Sequence, residues 1–258
     1  MGGFLFDDII FGPVKSRRLG VSLGINLLPT DYKFCTFDCI YCECGWTKKS
    51  DKKVILPSRN EIYERLETVL KKRKENDLPI DSITYAGNGE PTLHPDFAEI
   101  INDTILLRNT YFPNAIITVL SNASLIHNDS IINALKMVDK NILKLDVGTE
   151  LRFRQINQPN GSLKLNQVVD YLKKFNGKLI IQTLFVQGIG QHKGIDNTSE
   201  EEVEAWIKLL KDINPQSIMI YPIERETPEN SIIKISPQIL NSIAEKVQSA
   251  GFKTEVFY

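Results

Sequence analysis

The sequence predicts an α/β fold, a partial (β/α)6 barrel around a mostly parallel sheet. From about Ser22 onward, short runs rich in Ile, Val and Leu alternate with amphipathic stretches, and the alternation repeats six times. Six βα units fall short of the eight that close a full barrel, so the sheet is expected to stay open, with right-handed crossovers.

The expected strands are Ser22 to Leu28, Ser82 to Ala86, Ala115 to Leu120, Ile142 to Val147, Leu179 to Val186 and Ser217 to Ile223. Each is compact and apolar, as a strand covered on both faces must be. The helices between them carry their own start signals. Ser58 with Glu61, and Ser199 with Glu202, have the spacing of capping boxes. Asn128 caps a short helix through Leu135, and Ser236 before Pro237 opens another. Pro95 to about Arg108 and Leu163 to Phe175 supply two more, and Phe252 to Tyr258 is placed as a last strand.

No linker or composition shift divides the 258 residues, so residues 1–258 are expected to form one domain. Hydrophobic residues make up 42% and charged residues 24%, with no apolar run near the roughly 20 residues of a membrane span. Asp7 and Asp8 interrupt the apolar start, which lacks a basic lead or cleavage site, so a soluble, cytoplasmic protein without membrane partners is expected. A net charge of -1 gives no global field for nucleic acid. Lys48, Lys49, Lys52 and Lys53, with Lys15, Arg17 and Arg18 upstream, form either a local basic patch or a solvated loop; charge alone favours the loop.

All four cysteines lie between positions 35 and 44, which points to metal and away from a disulfide scaffold. Three of them, Cys35, Cys39 and Cys42, are spaced C-x3-C-x2-C in a loop, residues 29–56, directly after the first predicted strand. A loop there can wrap round a cubane with one thiolate per iron, leaving one iron open. Structural zinc wants four ligands, and Cys44 sits too close to Cys42 to complete a tetrahedron from one loop. A zinc site or a group of buried thiols remain the alternatives on spacing alone.

These residues resemble the radical S-adenosylmethionine superfamily, whose signature is C-x3-C-x2-C with an aromatic residue, here Tyr41, before the last cysteine. The stretch Phe11-Gly-Pro-Val-Lys-Ser-Arg-Arg-Leu-Gly20, with Ser22-Leu-Gly-Ile-Asn-Leu-Leu-Pro29, is similar to the opening segment, residues 1–21 here, of Fe-S oxidoreductases related to the wyosine synthases of transfer RNA. The likeness covers nearly the whole chain. It implies one 4Fe-4S cluster on Cys35, Cys39 and Cys42, S-adenosylmethionine as cofactor, and an external electron donor of flavodoxin or ferredoxin type. It also implies reductive cleavage of the cofactor to a 5'-deoxyadenosyl radical that takes hydrogen from a substrate.

The remaining site residues follow from that resemblance. Ala86-Gly87-Asn88-Gly89-Glu90-Pro91-Thr92 resembles the family's G-G-E segment with one residue inserted. Gly87 and Gly89 would let the backbone approach the methionine part of the cofactor, and Glu90 would answer its ammonium group. Taken alone the stretch is a turn before a helix. Asn122, at the end of the third strand, is chosen for the ribose, and Pro222, in Tyr221-Pro-Ile-Glu-Arg-Glu-Thr-Pro228, for the adenine. Lys144 and Asp146 share a strand face and read equally as a functional pair and as a plain ion pair. Arg225 reads as a ligand for a substrate anion or as a partner of Glu224 or Glu226, and the pairing is favoured.

The glycine-bearing loop 187–199 reads as a lid or as a mobile connection, with His192 a solvent histidine. The substrate is open. A transfer-RNA base is the first candidate, weakened because the wyosine synthases use a second cluster that these cysteines cannot build and because no RNA-binding module is present. Activation of a partner enzyme by hydrogen abstraction from glycine, and small-molecule chemistry, stand beside it. A non-catalytic iron-sulfur or zinc protein would leave Glu90, Asn122 and the opening segment unexplained.

Overall fold

The structure, a computed structural model, describes residues 3–47 and 54–258, excepting the side chain of Gln191. In chain order the strands are β1 (Ile10–Ser16), β2 (Gly20–Ile25), β3 (Ser82–Tyr85), β4 (Ile116–Ser121), β5 (Lys140–Lys144), β6 (Ile180–Gly188), β7 (Ser217–Pro222), β8 (Ile232–Lys234) and β9 (Thr254–Val256). The helices are α1 (Arg59–Glu75), α2 (Phe97–Tyr111), α3 (Asp129–Met137), α4 (Glu150–Arg152), α5 (Leu165–Lys173), α6 (Glu200–Ile213) and α7 (Pro237–Ser249).

Strands β2 to β7 pair in sequence order, each parallel to the next, and β9 joins parallel to β7. The sheet is unclosed, as expected from six units. Two antiparallel additions were not foreseen: β1 along the edge of β2, and β8 on the far end of β6. The first carries Gly12 and Pro13, which break its register between Phe11 and Val14 and hide the strand pattern. Elsewhere the expected strand bounds shift by a few residues only; the fourth runs Lys140–Lys144, so Asp146 stands just past its end.

One face of each strand feeds the main core. Leu23, Ile25, Ile83, Tyr85, Ile117, Val119, Leu143 and Ile181 are fully buried there, with Leu66, Leu70, Ile101, Leu135, Leu172 and Leu210 from the helices. The inner face holds a small apolar cluster of Ile142, Ile180 and Met219, joined by Leu120 and Phe257. Ser22 Oγ and Thr84 Oγ1 hydrogen-bond on that inner face at 2.8 Å.

The expected caps are present. Ser58 Oγ accepts from the Glu61 N–H at 3.2 Å, Asn128 Oδ1 from Ser130 at 2.9 Å and Ser236 Oγ from Ile239 at 3.4 Å. Ser199 accepts from Glu202 at 3.4 Å, but the buried Glu202 carboxylate does not close a capping box. It accepts instead from the N–H groups of Gly148 and Thr149 and from the Thr149 hydroxyl, fixing the turn after β5. Because β2 to β5 are parallel, their C-terminal ends deliver four successive loops to one end of the sheet.

Candidate active site

The cysteine loop is strapped to its neighbour by backbone. Phe34 N–H donates to Asn88 O at 2.8 Å, and Glu90 N–H donates to Phe34 O at 3.2 Å, forming a parallel bridge between Phe34 and Gly89. Beneath it Lys33 is 2% exposed, and its ammonium donates to Asp38 Oδ1 at 3.2 Å and to Gly45 O at 3.1 Å. Burial opposes that charge, but Cys42, Cys35, Cys39 and Asp38 outweigh it and raise the lysine's pKa. This buried cation among thiols was missed from the sequence; only its place two residues before Cys35 hinted at it.

Cys39 is buried and Cys35, Cys42 and Cys44 half-buried. Burial raises the pKa of Cys35, to about 12, with Lys33 opposing. Cys39 is also raised, by burial, with Lys144 opposing. Of the Cys42 and Cys44 pair, Cys42 ionises first because the Cys44 thiol donates a hydrogen bond to it. Two amides serve the sulfurs: Asn122 Nδ2 lies 3.5 Å from Cys35 Sγ, and Asn157 Nδ2 lies 3.6 Å from Cys39 Sγ.

The four thiols open on a cavity of about 180 Å³, lined also by Phe37, Tyr41, Gly87, Gly89, Glu90, Leu120, Ser121, Asn122, Lys144 and Gln182. Its walls mix apolar surface with a few converging polar groups, as ligand sites do. Of the residues selected from the sequence, Asp146 and Pro222 are not among the lining. Pro222 ends β7, in register with Phe185.

Glu90 is 1% exposed and caps the short helical turn Pro91–Leu93. Its Oε1 accepts from Thr92 N–H at 3.1 Å, Thr92 Oγ1 at 2.6 Å and Ser121 Oγ at 2.8 Å, whereas Oε2 accepts only from Asn122 N–H at 2.6 Å. Burial raises the carboxyl's pKa, and these bonds offset part of that. Asn122 spends its side chain within the protein: Nδ2 donates to Thr36 Oγ1 at 2.8 Å and Oδ1 accepts from Ser124 N–H at 2.9 Å. The glycines answer first to the protein as well. A Cβ at Gly87 would fall 2.2 Å from Asn26 Oδ1, and one at Gly89, where φ is +143°, would fall 1.9 Å from Phe34 O.

In and behind the cavity wall, Tyr41 and Lys144 from its lining form one network with Asp146 and Asn157. The Tyr41 hydroxyl donates to Asp146 Oδ2 and accepts from Lys144 Nζ at 2.8 Å. Asp146, 2% exposed, also accepts from Asn157 Nδ2 at 2.6 Å and from Leu184 N–H at 2.9 Å, and lies 3.4 Å from Lys144 Nζ. Lys144 and Asp146 are an ion pair, and through Tyr41 and Asn157 it reaches the cysteine loop. Asn157 carried no sequence signal: it ends a π-helical turn, Phe153–Asn157, that follows α4 and has no sequence pattern of its own.

Three expectations change. Arg225 pairs with Glu43 at 2.6 Å, not with Glu224 or Glu226, because the β7 loop folds back over the cysteine loop. Glu224 meets Arg17 and Lys234, each at 3.3 Å. His192 is no free solvent histidine: it lies 2.9 Å from Glu229. Loop 187–199 is pinned at its base by the Gln187 to Asp196 bridge, and among the described residues none from this loop lines the cavity. Lys48, Lys49, Lys52 and Lys53 lie outside the described residues.

The donor set suits a cubane. Three thiols from one loop face a shared cavity, two amides point at their sulfurs, and a buried lysine sits below to balance their negative charge. Among the described residues no three His, Cys, Asp or Glu side chains converge on a single metal ion.

Residues 30–210 match the Radical SAM superfamily. A UPF0026 protein of Methanocaldococcus jannaschii is 32% identical over 240 residues, covering 91% of this chain and 70% of that protein. A protein named GTPase Obg from Brachyspira hyodysenteriae is 32% identical over 255 residues, covering 96% of this chain and 34% of that protein, so the chain spans about a third of that relative. Among solved structures, a radical SAM methyltransferase from Sphaerobacter thermophilus superposes with a TM-score of 0.68 at 15% identity, over 92% of this chain and 66% of that one. Archaeal TYW1 gives 0.54 at 12% identity, over 89% and 72%. Identities this low speak for the fold alone, whereas the superfamily match covers well over half of the sequence. The chain belongs to the radical SAM superfamily, whose members use a 4Fe-4S cluster and S-adenosylmethionine.

Proposed function

We propose that this chain cleaves S-adenosylmethionine reductively at a single 4Fe-4S cluster on Cys35, Cys39 and Cys42, and directs the product radical to a hydrogen atom of its substrate. One observation carries the reading: loops from four parallel strands bring the three cysteines, the Gly87 to Glu90 segment, Asn122 and Lys144 round one cavity. Cys35, Cys39 and Cys42 would hold the cluster and Glu90 the cofactor; when bound, and given an electron from a flavodoxin- or ferredoxin-type donor, these groups would supply the reductive cleavage of the sulfonium to methionine and 5'-deoxyadenosine.

The chain's own residues bind, orient and keep the site dry. Glu90 Oε1 is saturated by three donors, but Oε2 has only one, so Oε2 is the oxygen left to receive the cofactor's ammonium group. Asn122 holds Thr36 and Cys35 in place beside the nucleotide space, Tyr41 and Asp146 brace the wall, and Gly87 and Gly89 keep the two loops close. Phe37 and Leu120 supply apolar wall that excludes water from the reacting atoms. Pro222, outside the lining, remains the proposed neighbour of the adenine.

The test is turnover without a known substrate. Anaerobically reconstituted, reduced protein is expected to release 5'-deoxyadenosine slowly from S-adenosylmethionine, and Cys39→Ala to release none. Formation of S-adenosylhomocysteine with no 5'-deoxyadenosine above the Cys39→Ala control would replace radical chemistry with polar methyl transfer.

A further inference from the structure

The inner face of the sheet carries more positive charge than the cofactor reading uses. Lys144 and Gln182 are register neighbours on β5 and β6, and both line the cysteine cavity. Gln182 Oε1 accepts from the Tyr221 hydroxyl at 3.3 Å, which carries the polar surface across to β7. Over the Tyr221 ring, 5.0 Å from its centroid, lies the guanidinium of Arg18, with the Phe257 ring 5.7 Å away on another side. Phe257 packs on the inner cluster of Ile142, Ile180 and Met219 beside Leu120, and Leu120 lines the cavity too. Arg18 therefore reaches from the turn between β1 and β2 to the inner face next to the cavity.

The charges there do not balance. Asp146 is shared among Lys144, Tyr41, Asn157 and the Leu184 N–H. Arg18 has no carboxylate partner among the described residues, and its Nη1 is buried without any hydrogen-bond partner. Thr118 Oγ1 is likewise buried and unpartnered. It lies two residues before Leu120 on the same strand and so on the same face. A stacked arginine whose only role was packing would leave a buried donor unsatisfied at a cost that an apolar side chain avoids. Lys144 has three donors and spends two, on Tyr41 and Asp146.

We propose that the substrate is an oxyanion whose carboxylate or phosphate group is held by Arg18 and Lys144 beside Tyr221, on the inner face of the sheet deep to the cysteines. The proposal rests on the reading of the cavity as the cofactor and substrate site, and names the substrate class. A guanidinium over the Tyr221 ring and an ammonium on the neighbouring strand, both close enough to act on the phenol's charge, match the oxygens of such a group, and the arginine's fork supplies directional donors. The rest of the substrate then extends toward the cofactor.

Anion binding and cofactor loading are measured on the same samples. Reconstituted protein is titrated calorimetrically at low ionic strength with inorganic phosphate in one arm and acetate in the other. At least one probe is expected to bind saturably, with affinity lowered about tenfold in Arg18→Gln, the scale of one lost charge-assisted hydrogen bond, and largely kept in Arg18→Lys. Lys144→Gln should weaken the same probe. Iron content and S-adenosylmethionine affinity should be unchanged in Arg18→Gln. Equal binding of both probes by wild type and Arg18→Gln, or binding of neither by wild type, overturns the oxyanion site. Loss of iron and cofactor binding in wild type would instead overturn the cofactor reading, so the two failures are distinct.

Discussion

Glu90 Oε2 accepts the backbone N–H of Asn122 at 2.6 Å, and that bond joins the loop after β3 to the loop after β4 at the edge of the cysteine cavity. Asn122 in turn donates through its amide to Thr36 and toward Cys35. The carboxylate proposed to meet the cofactor is thus two residues' hydrogen bonds away from a cluster ligand, though it touches none of the thiols in this network. Cofactor binding and iron retention should therefore separate by mutation.

Glu90→Gln should keep the iron and weaken S-adenosylmethionine binding by about ten- to a hundredfold, the loss of one charge-assisted hydrogen bond of about 1.5–3 kcal/mol. Iron assay and calorimetry on the same preparation check this. Loss of iron in the variant would make Glu90 structural support instead.

The same residue sets a pH dependence. Burial holds its folded-state pKa above the ordinary glutamate value, so the folded chain binds that proton more tightly than the unfolded chain. Its contribution is largest below the ordinary pKa and is lost as pH rises through the folded one. In cofactor-free protein, the stability of wild type relative to Glu90→Gln should decline as pH rises from about 4 toward neutrality, measured by urea unfolding. A difference independent of pH would mean that the carboxyl is not shifted.

Cys35→Ala, Cys39→Ala and Cys42→Ala should each fail to hold a complete cluster, whereas Cys44→Ala should retain about four irons per chain. Cys44 lines the cavity, but its thiol faces Cys42, with its sulfur 3.6 Å from the Gly87 carbonyl oxygen. Retention by Cys35→Ala together with loss by Cys44→Ala would exchange their roles.

Much of this was legible because the decisive residues are contiguous. The six expected strands are short β-branched runs between recognisable caps, and Cys35, Cys39 and Cys42 fall within eight residues. What escaped reading is what tertiary contact decides. Asn157 reaches Cys39 across 118 residues, and Arg225 reaches Glu43 across 182, and neither has a local pattern. The position of Asn122 at the cavity was legible, yet its side chain turned out to serve the cysteine loop, because a strand end shows where a side chain starts and not what it meets. Gly89 was read for its approach to the cofactor, and the structure adds a protein carbonyl pressed against it.

Gly89→Ala should disrupt the cysteine loop. At φ +143° a side chain is strained by about 1–3 kcal/mol, and the new methyl would collide with the Phe34 carbonyl, one residue before Cys35. The expected result is a lower unfolding midpoint together with reduced iron uptake. Normal iron content and stability would show that the Phe34 to Gly89 bridge is dispensable.

Tyr41 tests whether the network behind the wall is structural. Its hydroxyl stands between Lys144 Nζ and Asp146, and burial, with Asp146 beside it, raises its pKa well above the ordinary value, so it stays a neutral donor at neutral pH. Tyr41→Phe keeps the ring against the cavity and removes only the oxygen. Asp146 then loses one donor but keeps Asn157, the Leu184 N–H and Lys144, and the ammonium keeps its ion pair. The cost should be about 1–3 kcal/mol of stability, read from urea unfolding, with iron content near wild type because no thiol is touched. Asp146→Asn should cost more, since it leaves the Lys144 charge buried without its counter-ion. If Tyr41→Phe leaves stability unchanged but abolishes S-adenosylmethionine binding, the hydroxyl belongs to the cofactor site and the network assigned to it is wrong.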